Sequence, residues 1–154
     1  MSTLRAARIP GPPDRPRCLW VSGLEESVRF AAHFDLVVDC CGRAGPRPNG
    51  IVVCPSAGNH RWAPEDLDRI VGAVAYRVRA NRRVLVHCRS GRSRSTTAAA
   101  AVLLVLGAYD DPTAAIHAVA RNPGADGLGD APDRRCVASL EAWWASWLRR
   151  YARG

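Results

Sequence analysis

Residues 84–95 decide the fold of this chain, because a short apolar run passes into a polar loop and then into a helix. The loop and its flanks read His87-Cys88-Arg89-Ser90-Gly91-Arg92-Ser93-Arg94-Ser95. The run at 84–87 predicts a buried strand, and the almost wholly apolar stretch at 95–106 predicts a helix closed by Gly107. In α/β proteins, ligands bind at the loops that join the carboxyl end of a strand to the following helix.

The rest of the chain repeats the alternation of strand and helix. Strand patterns fall at 18–21, 36–41 and 51–54, and helical patterns fall at 64–81, 111–121 and 132–150. At 154 residues the chain fits one domain. We therefore predict a single α/β domain at 18–154, with a central, mainly parallel sheet flanked by helices. The proline-rich, basic segment at 1–17 is predicted to be a disordered or loosely packed tail.

The loop at 88–94 has the composition of an anion site. Its backbone N–H groups can turn inward as a nest that also faces the positive end of the following helix. Gly91 permits a turn with positive φ, and the planar fork of Arg94 suits two oxygens of one phosphate. We expect Arg89, Ser90, Gly91, Arg92, Ser93 and Arg94 to form the phosphate-binding loop.

A cysteine at the floor of such a nest has the surroundings of a nucleophile. The amides, the helix terminus and the nearby arginines favour the thiolate of Cys88. Attack on a bound phosphoryl group gives a phosphocysteine, which water then hydrolyses. Ser95 either donates a proton to the departing thiolate or caps the helix, and the sequence leaves both roles open.

The loop resembles the HCx5R(S/T) signature of the protein tyrosine phosphatase superfamily, because His87-Cys88 is followed by five residues and then by Arg94-Ser95. The full string is similar to the HCxxGxSRS form of dual-specificity phosphatases. The resemblance runs along most of the chain from about Cys18. It implies a phosphotyrosine-phosphatase-like fold and hydrolysis of phosphotyrosine and phosphoserine/threonine in proteins. It also implies that Cys88 is the nucleophile, Arg94 the phosphate clamp and His87 a residue that tunes the thiolate.

The sequence departs from this family at the general acid. Family members carry an aspartate roughly thirty residues before the nucleophile, which protonates the leaving oxygen. Here the segment at 55–60 contains no carboxylate. His60, Asp66 and Asp39 remain weak candidates, and the acid stays unassigned.

The substrate also stays open. Arg89 and Arg92 make the loop more cationic than in most dual-specificity enzymes, which favours a substrate with several phosphates, such as a phosphoinositide, an inositol phosphate or an RNA 5′-phosphate. A third interpretation, motivated by the missing aspartate, is a phospho-binding pseudophosphatase. The intact Cys88 and Arg94 count against it, because a binding module has no need of a reactive thiolate.

Composition limits the other classes of function. The six cysteines lack the spacing of a disulfide scaffold or a zinc site, which predicts no bound metal and an intracellular protein of the cytoplasm or nucleus. No residue pattern predicts an organic cofactor. All 22 basic residues are arginine, which indicates a compositional bias, and nucleic-acid binding is not predicted from charge alone. No apolar run is long enough to span a bilayer. Cys40, Cys41 and Cys54 end strands near the nucleophile, so each is a candidate partner of Cys88 in a disulfide after oxidation.

Overall fold

The computed structural model describes residues 3–12, 17–120 and 132–151. The strands in these ranges are β1 (Arg5–Ala6), β2 (Leu19–Ser22), β3 (Leu36–Asp39), β4 (Gly50–Val52) and β5 (Val84–His87). The helices are α1 (Leu24–Phe30), α2 (Pro64–Arg79), α3 (Arg94–Val105), α4 (Pro112–Val119) and α5 (Arg134–Tyr151), and a 3-10 turn, Ala31–His33, follows α1.

The described strands form one sheet in the order β1-β2-β5-β3-β4. Strands β2, β5, β3 and β4 run parallel, and only β1 is antiparallel to its neighbour. Ser22 and Asp39 pair with His87 on either side, so the carboxyl ends of the three central strands meet at one edge of the sheet. The predicted α/β domain with a mainly parallel sheet is confirmed.

Helix α3 is the centre of the fold. Its residues from Ser95 to Leu104 are all buried, which fits the run of alanines, since a small side chain lets neighbouring elements pack close on every face. Helices α2, α4 and α5 and strands β2 and β5 all contact it. The loop before α3 is therefore held at both ends, by the central strand and by the most buried helix.

Within the predicted loosely packed tail at 1–17, the described residues 5–8 instead pair with the sheet and contact the domain. Strand β1 pairs with β2 at Arg5 and Ala6, and Ala7 is buried. The Ala7 N–H donates to the Leu19 carbonyl, and the Arg8 N–H donates to the Ala118 carbonyl. The prolines limit regular structure only from Pro10 onward, so the earlier residues are free to extend the sheet. Residues 13–16 lie outside the described residues, as do 121–131, which the sequence assigns to a helix end and a loop.

Helices that could cross a membrane are absent from the described ranges, because none combines sufficient length with an apolar composition.

Candidate active site

The loop that joins β5 to α3 lies at the carboxyl edge of the sheet, beside the ends of β2 and β3. Cys88 directly follows β5 and is 1% exposed. The Cys88 N–H donates to the Ser22 carbonyl at 3.3 Å, and the Leu24 N–H donates to the Arg89 carbonyl at 3.0 Å. The start of the loop is thus fixed against the turn from β2 into α1.

Gly91 is required by both conformation and space. Its φ is +72°, and a Cβ built there would lie 2.7 Å from the backbone N of Gly23 and from the carbonyl carbon of Ser22. A side chain meets backbone atoms there that cannot move aside without displacing β2. The glycine that the sequence associates with a turn is therefore also a point of close packing.

The sulfur of Cys88 has two hydrogen-bond partners. The Gly91 N–H donates to Sγ at 3.2 Å, and the Ser95 hydroxyl lies 3.3 Å from Sγ. Ser93, not Ser95, is the N-cap of α3, and Ser95 is fully buried inside the first turn. Of the two roles that the sequence leaves open for Ser95, the geometry favours contact with the sulfur.

The remaining loop side chains divide by exposure. Arg89, Ser90 and Arg92 are exposed, whereas Ser93 and Arg94 are half-buried. The Ser93 hydroxyl accepts from the Asp133 N–H at 2.8 Å. Arg94 is the first residue of α3, while the side chains of Arg89 and Arg92 face solvent on the loop.

His87 is fully buried in a network that fixes its tautomer. Arg47 Nη1 lies 2.8 Å from His87 Nε2, and Arg47 Nη2 donates to the Ser27 hydroxyl at 2.9 Å. A guanidinium can only donate, so Nε2 is the acceptor and the ring proton is on Nδ1, which faces the Cys88 carbonyl at 3.4 Å. Burial lowers the pKa of His87, the nearby Asp39 opposes this effect, and Arg47 adds to it. The imidazole that precedes Cys88 is therefore neutral near pH 7.

This arrangement predicts a loss of stability on mild acidification. The folded pKa of His87 lies below the unfolded value of 6.5, so the unfolded chain binds more protons in the interval between the two values. The free energy of unfolding should therefore fall as the pH drops below about 6.5, as measured by urea denaturation between pH 7.5 and 5. His87→Gln should flatten this dependence, and Arg47→Gln should weaken it, because loss of the guanidinium raises the folded pKa. An unchanged slope in His87→Gln would contradict the assignment.

The three weak candidates for the general acid are engaged elsewhere or stand at the surface. Burial alone would raise the pKa of Asp39, but hydrogen bonds from the Cys41 N–H, the Cys41 thiol and the Gly42 N–H hold it below its usual value. Asp66 Oδ2 accepts from Ser56 N, Ser56 Oγ and Ala63 N at 2.7–3.0 Å, and so closes the turn before α2.

His60 is exposed at a left-handed turn with a φ of 62°, and its carbonyl accepts from the Cys136 thiol at 3.2 Å. The candidates thus cap loops or face solvent, and none of the described contacts links one of them to Cys88.

One group in the described ranges has the donor atoms of a metal site. Ligand atoms of Asp39, Cys41 and His87 lie within 4.8 Å of one another. Asp39 Oδ1 already accepts three hydrogen bonds, and His87 Nε2 accepts from the Arg47 guanidinium. A cation there would face a fixed positive charge, so this donor set fits a hydrogen-bond network better than a metal ion.

The strand register selects one partner for Cys88 among the cysteines considered above. Asp39 pairs with His87, so the next residues, Cys40 and Cys88, leave neighbouring strands side by side, and the Cys40 N–H donates to the His87 carbonyl at 2.7 Å. Neighbouring strands are about 4.8 Å apart, which suits a disulfide. Burial raises the pKa of the Cys40 thiol well above its usual value, and the nearby Cys88 adds to this effect.

We predict slow formation of a Cys40–Cys88 disulfide under mild peroxide. Peroxide oxidises the Cys88 thiolate to a sulfenic acid, and the Cys40 sulfur then displaces water to form the S–S bond. Peptide mapping should find the Cys40–Cys88 pair, and Cys40→Ser should speed irreversible oxidation of Cys88. Cys41→Ser is the matched control and should leave the product unchanged. Detection of Cys88 only as sulfinic or sulfonic acid in the wild type would contradict the pairing.

Comparison with solved structures places this loop in a known fold. A single-residue variant of human DUSP28 superposes with a TM-score of 0.68 at 20% identity, over 86% of this chain and 92% of its own. PTPMT1, also solved in complex with PI(5)P, gives 0.68 at 16% identity over 89% and 96%. A mouse putative dual-specificity phosphatase complexed with zinc tungstate gives 0.66 at 21% identity over 95% of both chains. This chain has the protein tyrosine phosphatase fold. No family model and no curated protein sequence matches it.

Two contacts of the candidate site were not foreseen from the sequence. Arg47 reaches His87 across 40 positions, and Arg5 reaches Gly91 across 86. Arg47 lies in a proline-rich loop and Arg5 in the short segment before Pro10. Because all basic residues of the chain are arginine, no local pattern distinguishes these two from surface arginines.

Proposed function

We propose that this chain is a cysteine-dependent phosphatase that hydrolyses phosphomonoesters of proteins through a phosphocysteine intermediate. The observation that carries the proposal is the buried sulfur of Cys88, which lies within hydrogen-bond reach of Gly91 N and Ser95 Oγ at the start of a helix. Donors aimed at a sulfur stabilise its anion, and the same nest accepts the oxygens of a phosphate.

The proposed reaction has two steps. The Cys88 thiolate attacks phosphorus, an S–P bond forms, and the bond from phosphorus to the leaving oxygen breaks while Arg94 holds two of the other oxygens. Water then attacks phosphorus and the S–P bond breaks, which releases inorganic phosphate. The Ser95 hydroxyl stands where it can stabilise the departing thiolate in this second step.

Reactivity toward different leaving groups tests the unassigned acid. A nitrophenolate leaves without protonation, whereas a poorer leaving group needs a proton in the transition state. We expect turnover of p-nitrophenyl phosphate to exceed that of phenyl phosphate by at least about a hundredfold. Alanine at Asp39, Asp66 or His60 should not change this ratio, and a variant that loses only the phenyl phosphate activity would identify the acid.

A polyanionic substrate is the second candidate, favoured by the exposed Arg89 and Arg92 of the loop. It also fits the fold of PTPMT1, which was solved in complex with PI(5)P. A panel of phosphotyrosine and phosphoserine peptides, a phosphoinositide and a 5′-triphosphorylated RNA separates the two candidates. Peptide turnover that Arg92→Ser leaves unchanged supports the protein substrate. Preferred turnover of a polyanion that Arg92→Ser reduces would replace it.

A further inference from the structure

An arginine from the N-terminal strand reaches the back of the phosphate loop. Arg5 Nη2 donates to the Gly91 carbonyl at 2.7 Å and to Thr96 Oγ1 at 2.8 Å, and Arg5 Nε donates to the Val119 carbonyl at 2.6 Å. The half-buried side chain therefore joins three elements, namely β1, the loop with the first turn of α3, and the end of α4.

The contact with the Gly91 carbonyl orients an amide of the nest. In a planar trans peptide the C=O of Gly91 and the N–H of Arg92 point in opposite directions. Holding that carbonyl outward on Arg5 therefore aims the Arg92 N–H toward the anion. On the other side of the loop, the Leu24 N–H donates to the Arg89 carbonyl and holds it outward. That contact orients the following Ser90 N–H toward the anion in the same way.

This peptide is the part of the loop that most needs an external restraint. Gly91 has no side chain, and glycine reaches both signs of φ at little cost, so its flanking peptides can rotate unless they are bonded. Thr96 adds a second tie, because its hydroxyl accepts from Arg5 and lies 3.5 Å from the Gly91 carbonyl. A hydrogen bond from a charged donor is also stronger than one between neutral groups.

We propose that Arg5 is a positioning residue of the phosphate loop, which fixes the Gly91–Arg92 peptide with its N–H toward the bound oxyanion. The inference rests on the proposed function only in taking the anion to be a phosphate. It also gives a role to the segment that the sequence assigns to a loose tail, since β1 is the element that carries the guanidinium to the loop.

Binding of tungstate, a tetrahedral oxyanion, tests this role without turnover. By calorimetry on the full chain, Arg5→Met should weaken the tungstate Kd by about tenfold. Arg5→Lys keeps the charge but cannot span three acceptors, so it should weaken the Kd by about threefold or more. Arg8→Met is the matched control, because Arg8 lies on the same segment and donates to the His117 carbonyl, away from the loop. Its Kd should stay within about twofold of the wild-type value.

A purely structural role of Arg5 predicts a different pattern. It would lower the Tm of Arg5→Met and leave the Kd of the folded protein unchanged, and that result would overturn the proposal. Equal weakening in Arg8→Met would also overturn it, because it would show a general effect of charge. Should Arg5→Met fail to fold, an unchanged Kd in Arg5→Lys would be decisive against the role. If the wild-type protein binds tungstate but hydrolyses no phosphomonoester, that result would count against the proposed function alone.

Discussion

Replacing Cys88 by serine should reduce turnover of p-nitrophenyl phosphate by at least about ten-thousand-fold, because removal of a nucleophile eliminates the covalent route. The substitution exchanges one atom of the side chain, sulfur for the smaller oxygen, and the hydroxyl can take the place of the sulfur between Gly91 N and Ser95 Oγ. The loop should therefore stay intact, with a Tm close to that of the wild type.

Cys54→Ser is the matched control for this variant. Cys54 is half-buried and follows the edge strand β4, so its loss should leave turnover within about threefold of the wild-type value. If Cys88→Ser retains more than about one hundredth of the activity while Cys54→Ser loses it, the nucleophile has been misassigned.

Replacing Gly91 by alanine should also reduce turnover strongly, although less than the loss of Cys88, and it should destabilise the fold. The added methyl would lie 2.7 Å from two backbone atoms of the β2–α1 turn, at a φ of +72°. A positive φ costs a non-glycine residue about 1–2 kcal/mol, and the steric overlap adds a displacement of the loop. We expect a free energy of unfolding lower by at least about 2 kcal/mol and turnover per folded molecule lower by about a hundredfold.

Gly72→Ala is the control for Gly91→Ala. Gly72 lies inside α2, with open space where a Cβ would lie. Alanine in the middle of a helix is favoured over glycine by about 0.5–1 kcal/mol, so this variant should be as stable as the wild type or more so. Comparison of Tm and of turnover for the two variants separates the special geometry of Gly91 from a general effect of glycine. Equal behaviour of both variants would contradict the account of the loop.

The sequence was sufficient to predict the strand, loop and helix at the carboxyl edge of the sheet, because that information is local. The apolar run at 84–87, the loop and the alanine-rich helix follow one another in the chain, and together they predict the strand, the nest and the buried α3. The predicted start of α3 at Ser95 differs from the observed start at Arg94 by one residue. The alternation of strands and helices was sufficient for the parallel sheet.

The contacts that complete the site could not be predicted because they join distant parts of the chain. A β1 strand of two residues gives too short a pattern to recognise, and its value comes only from pairing with β2. The contact of Arg47 with His87 depends on the path of the loop before β4, which brings the Arg47 guanidinium to the end of β5. The prediction for residues 51–54 was limited in the same way. Their apolar pattern predicts a buried strand, whereas β4 lies at the edge of the described sheet and Val52 is 52% exposed.

If Cys88 carries the phosphoryl group during turnover, a covalent intermediate can be trapped on its sulfur. The protein is mixed with a substrate labelled in its phosphoryl group, quenched within milliseconds and digested for peptide mapping. We expect label on the peptide that contains Cys88 in the wild type and none in Cys88→Ser. Turnover of the substrate with label on another residue, or with a labelled Cys88→Ser protein, would contradict it.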